Sequence, residues 1–90
     1  MKLDIQTYKR AGLSPSDTAR IFSVSRITAS KWFNGGNVHP LVTCRVSATT
    51  KVVQLAIERG LLPVGIPVYR SDERTEAIRA ALTTAERADK

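Results

Sequence analysis

Residues 14–36, SPSDTARIFSVSRITASKWFNGG, decide the fold, because they contain two helix starts, a turn between them and a helix stop. Ser14 followed by Pro15 is a start signal. The hydroxyl can cap free amides, while proline's fixed φ and missing N–H suit the first helical position. The pair predicts a helix from Pro15 to about Phe22, after which Ser23 and Val24 turn the chain. Ser25 then caps a second helix, Arg26 to about Asn34, and Gly35 and Gly36 supply the left-handed geometry that ends it. Helical spacing puts Ala19 where the two helices cross closely and Ala29 and Trp32 on the inner side of the second helix. Its outer side then carries Ser25, Arg26, Ile27, Thr28, Ser30 and Lys31.

Working outward, Leu3, Ile5 and Tyr8 with Gly12 just beyond predict a short first helix over 3–10. Pro40 opens the longest pattern, LVTCRVSATTKVVQLAIERG, which has two apolar stripes. One is Leu41, Cys44, Ala48, Val52 and Leu55; the other is Val42, Val46, Thr49, Val53 and Ile57. Such a helix is covered on more than one side. The β-branched residues lower its propensity, and a strand over 41–47 is the competing reading; helix is preferred. Gly60 ends it. LLPVGIPVY, with Pro63, Gly65 and Pro67, cannot be helical and reads as an extended connector or an edge strand. Ser71 then caps DERTEAIRAALTTAERADK, whose acidic first turn suits a helix N-terminus. Its stripe of Ile78, Leu82 and Ala85 is thin, so this helix must dock on the body, pair with another copy or fray.

The expectation is an all-α compact helical bundle: a helix-turn-helix, a long fourth helix, and a C-terminal helix after a Pro/Gly-containing connector. Residues 1–60 form the first part, and 61–90 are the connector and C-terminal helix, a possible dimerisation or partner segment. Ninety residues suit one domain, small enough that a partner chain would help its stability. With 42% hydrophobic but only 6% aromatic residues, its core must be mostly aliphatic and alanine.

The net charge of +6 is unevenly placed. Residues 1–57 hold Lys2, Lys9, Arg10, Arg20, Arg26, Lys31, Arg45 and Lys51 against only Asp4 and Asp17, while acids and bases balance over 58–90. All the excess therefore lies on the part with the helix pair, as a polyanion-binding surface requires. A single cysteine, Cys44, excludes an internal disulfide and, with the single His39, cannot build a zinc site. Cys44, on an apolar stripe, reads as a buried small hydrophobe, Trp32 as core, and His39 as a loop or cap residue. No signal-peptide core or membrane-length apolar run is present, so a cytoplasmic location is expected. Dispersed acids, one histidine and no glycine-rich phosphate loop leave no catalytic constellation, and neither an enzyme nor a cofactor is expected.

The stretch from Pro15 to Asn34 resembles the helix-turn-helix of phage Cro and repressor proteins and of the wider Xre-like bacterial regulators. Ala19, Val24, Trp32 and the following Asn34, Gly35 and Gly36 stand at matching places. Two residues depart from that pattern: Ser23 replaces the common turn glycine, and Ala29 replaces a bulkier aliphatic. The resemblance implies that the first helix of the pair crosses the DNA backbone and the second enters the major groove. Ser25, Arg26, Ile27, Ser30 and Lys31 then fall on base-reading positions. Arg26 and Lys31 suit guanine O6 and N7, and Ile27 suits a thymine methyl. Contacts to the DNA backbone are expected from Ser14, Ser16, Thr28, Asn34, Asn37, His39 and Arg45.

The implied function is a sequence-specific transcriptional regulator, a phage-like repressor binding double-stranded DNA as a homodimer on an inverted repeat. Such a protein would be nucleoid-associated in a bacterium or phage-infected host. Dimer surfaces are expected on the apolar face beyond Pro40 (Val53, Ile57) and on the last helix (Ile78, Leu82). With no separate ligand domain, control would come from concentration or a regulatory protein partner. Competing readings are a DNA-binding assembly component, such as a small packaging subunit or recombination directionality factor, and an antitoxin-like module whose C-terminal segment binds another protein. Arg26→Ala is expected to relax one base preference, and Arg45→Ala to weaken binding to all sequences alike.

Overall fold

The computed structural model describes residues 1–88. It is all-helical, with α1 (Ile5–Arg10), α2 (Pro15–Phe22), α3 (Arg26–Phe33), α4 (Pro40–Glu58) and α5 (Ser71–Ala88). Among the described residues the only extended pairing is an isolated antiparallel bridge between Lys2 and Asn37. The connector over 61–70 forms no strand, its prolines and glycine having left it without a ladder partner.

The first four helices each begin where a side chain closes free amides. Asp4 caps α1, accepting from the Thr7 N–H at 3.4 Å and the Thr7 hydroxyl at 2.7 Å. The first helix is thus shorter than 3–10, and Leu3 goes into the core as part of the lead-in. His39 caps α4 through Nδ1, which accepts from the Leu41 N–H at 3.1 Å, with Pro40 in the first turn. At α5 the first helical N–H bond runs from Arg74 to the Arg70 carbonyl, 2.9 Å, so Ser71 is the first helical residue, not the cap expected of it. The turn after α1 requires glycine: Gly12 has φ +71°, and an added Cβ would lie 2.6 Å from Pro63 Cβ.

The β-branched run of α4 is helical because its inner stripe is absorbed by the core. Val46 and Val53 are fully buried with Ala56, among Tyr8 of α1, Phe22 of α2, Trp32 of α3 and Ile78, Ala81, Leu82 and Ala85 of α5. Burial of this kind is worth about 1.5–3 kcal/mol per large aliphatic side chain, far more than the propensity deficit of a valine. Tyr8 reaches across to Thr50, hydroxyl to hydroxyl at 2.9 Å, and Thr50 in turn donates to the Val46 carbonyl at 2.7 Å. Burial of Tyr8 pushes its phenol up from 10.0 to about 12; the Thr50 bond pulls the other way, and Asp4 adds to the rise.

The thin stripe of α5 docks on the body. Val53, Ile78 and Leu82, expected on a dimer surface, are part of the protomer's own core, and Ile57 is half-buried against it. The physical reason is Arg74, one turn before Ile78. Its Nε lies 3.1 Å from both Asp17 carboxylate oxygens, and its Nη atoms donate to the carbonyls of Ile66, at 2.6 Å, and Gly12. Both side chains are under a tenth exposed. One buried guanidinium thereby joins α2, the turn after α1, the connector and α5. With Leu62 also buried, residues beyond 60 belong to the same core as those before it.

Candidate nucleic-acid interface

The start of α2 is a reciprocal cap. The Ser14 hydroxyl accepts from the Asp17 N–H at 3.2 Å, and the Asp17 carboxylate accepts from the Ser14 N–H at 3.0 Å. Because the same carboxylate faces Arg74, the acid on α2 is neutralised inside the fold. At the other end Ser23 takes a left-handed conformation, φ 55° and ψ 42°, and the Val24 N–H closes the turn on the Ala19 carbonyl at 3.0 Å. Serine does here what glycine does at lower conformational cost. Arg45 closes the carbonyl end of α2: Nη1 donates to Phe22 O at 3.0 Å and Nη2 to Ile21 O at 3.2 Å, with the guanidinium 5.6 Å from the Phe22 ring centre.

Next, Ser25 caps α3. Its hydroxyl accepts from the Thr28 N–H at 3.1 Å and is hydrogen-bonded to the Thr28 hydroxyl at 2.9 Å. The inner side of α3 is Ala29, fully buried, and Trp32, edge-on to Phe22 with ring centres 5.8 Å apart. Ala19 is buried with them, so small residues on both helices allow the close crossing. The opposite side faces out. Ile27 is 70% exposed, Arg26 and Lys31 are exposed, and Ser30 and Thr28 are half-buried.

Of the residues expected to touch DNA, the structure brings Ser25, Arg26, Ile27, Ser30 and Lys31 onto one outward face of α3. Asn34, exposed, ends that helix. Asn37, also exposed, pairs with Lys2, which brings a further cation to the end of α3. Only the fold reveals this, since the residues are far apart in the chain. Ser14 and Ser16 sit at the start of α2, where the Ser14 hydroxyl is already engaged with Asp17. His39 keeps one ring nitrogen outside its cap bond. Two expectations are corrected. Arg45 is a helix-end clamp rather than a free phosphate contact, because two carbonyls and an aromatic face hold it. Cys44 is exposed rather than buried, because its stripe lies on the side of α4 away from Val46.

Beside α3 the turn and α2 form one wall of an open cleft of about 880 Å³, and the first turns of α5 form the other. Arg20 and Arg26 face Asp72 and Glu76 across it, and Arg20 lies 3.7 Å from Asp72. Among the described residues Arg26 and Lys31 make no ion pair, whereas Arg20 does. Those residues also contain no group of three His, Cys, Asp or Glu side chains arranged to hold a metal ion, and no helix long and apolar enough to cross a membrane. Compared with family models, curated proteins and solved structures, the chain has no match.

Proposed function

We propose that the chain is a sequence-specific DNA-binding transcriptional regulator, a Cro- or repressor-like protein of phage type that binds an inverted repeat as a homodimer. The observation that carries this reading is the outward face of α3. A short helix is fixed from behind by Ala29 and Trp32 and presents Arg26, Ile27 and Lys31 to solvent, with no carboxylate within ion-pair distance of either cation among the described residues. That is the composition of a base-reading face: cations for guanine edges and an apolar branch for a thymine methyl, on a rigid mount. Lys2, Asn34, Asn37 and His39 gather beyond the end of this helix and would contact phosphates. The two-fold arrangement follows from the size of the face, since one such helix reads only a few base pairs.

The antitoxin-like reading is weaker than its sequence suggests, because Arg74, Ile78, Leu82 and Ala85 are occupied within the protomer. Selection of bound sequences from a random DNA pool tests the proposal. The expected result is a palindrome whose half-sites are about one helical turn apart, and Arg26→Ala relaxes one base position in each half. A pool that enriches for nothing, or an Arg26→Ala chain that selects the same sequence as the parent, sinks it.

A further inference from the structure

We propose that the outer side of α4, with the groove it forms beside α5, is the surface on which a second copy of this chain docks. This rests on the homodimer part of the reading above and replaces the surfaces expected from the sequence. Leu41, Cys44, Ala48, Val52 and Leu55 recur every three or four residues along α4, opposite the buried Val46 and Val53. Leu41 is 88% exposed, Cys44 and Ala48 are exposed, and Val52 and Leu55 are half-buried. A helix needs one apolar face to join a core; along the outer side of α4, Val52 and Leu55 pack at the edge of that core, while Leu41, Cys44 and Ala48 are left uncovered by the protomer.

The stripe runs into a groove of about 380 Å³ with Ile21, Ala48, Val52 and Leu82 in its lining and Arg79 and Glu86 on its α5 side. The charges choose the occupant. Arg79 and Glu86 stand about two turns apart on one helix, on either side of Leu82 and Thr83. A second α5 laid antiparallel across that midpoint sets each Arg79 against the opposite copy's Glu86, twice by symmetry. This is the self-complementarity an isologous two-fold contact requires, and an unrelated partner would have to supply it by coincidence. Arg79 is also held at the groove, its Nη2 donating to the Arg20 carbonyl at 2.9 Å. Nucleic acid is a poor fit here, since the face is apolar and carries both signs of charge.

Sedimentation equilibrium of the full chain over micromolar concentrations reads dimerisation, and fluorescence anisotropy with a short mixed-sequence duplex at low salt reads DNA binding separately. Ala48→Glu, at an exposed position outside the core, is expected to raise the dimer dissociation constant at least about tenfold, a loss of 1.4 kcal/mol. Arg79→Glu weakens the dimer as well, and adding Glu86→Arg to it restores the dimer to within about threefold of the parent. A parent chain that stays monomeric, an Ala48→Glu chain that dimerises like the parent, or a double reversal that recovers nothing overturns the surface. A dimer that binds no duplex sinks the DNA reading and leaves this surface standing; a monomer that binds duplex does the reverse.

Discussion

Arg45 illustrates how much a single side chain's role depends on what lies above it. In the sequence it is one more cation in a basic half; in the fold it satisfies the last carbonyls of α2 and stacks on Phe22. Loss of charge-assisted bonds at a partly exposed site, with a cation–π contact, predicts that Arg45→Ala destabilises folding by about 1–2 kcal/mol. Urea unfolding measures this, and an unchanged midpoint would show the clamp to be idle. The base preference of the folded variant should match the parent, in contrast to Arg26→Ala. Ser23 makes the opposite point: an unremarkable turn residue by type, it is the one described non-glycine residue with positive φ, and it sets the angle from which α3 projects.

At the scale of elements, α5 is the one whose fate its sequence left open. Three apolar positions allowed docking, pairing or fraying, and the choice was made by Arg74, a residue type that is buried only when paired. Its pairing with Asp17 also fixes the start of α2, so the C-terminal helix and the helix-turn-helix stand or fall together. Arg74→Ala leaves the Asp17 carboxylate buried without its partner and is expected to cost about 3–5 kcal/mol. For a domain this small, with total stability of about 5–15 kcal/mol, that is a large share. A loss under about 1 kcal/mol by urea unfolding would show that the pair contributes nothing net beyond its desolvation. Removal of α5 altogether is then expected to unfold the reading helix rather than to release a partner from an intact one.

For the whole molecule, Tyr8 links the core to pH. Its phenol titrates at about 12 instead of 10.0, so above pH 10 the native state holds a proton that the unfolded chain releases. Stability is therefore fully present below pH 10 and falls as pH rises toward 12, by about 2–3 kcal/mol on the order of two pK units. Urea midpoints at neutral pH and near pH 12, with phenolate absorbance followed in a Tyr69→Phe chain, check this; ionisation of folded Tyr8 near 10 would refute it. The sequence by itself determined the helices and the face of α3, because capping serines, prolines, glycines and periodic apolar residues act locally, within one or two turns. Ser14-Pro15, Ser25 and the Trp32 spacing needed no distant information. Only the tertiary structure decided which stripe of α4 was core, that Ile78 and Leu82 bury within the protomer, that Lys2 meets Asn37, and that Arg45 and Arg74 are structural. Each of these depends on contacts between residues far apart in the chain, where burial and long-range pairing outweigh residue type.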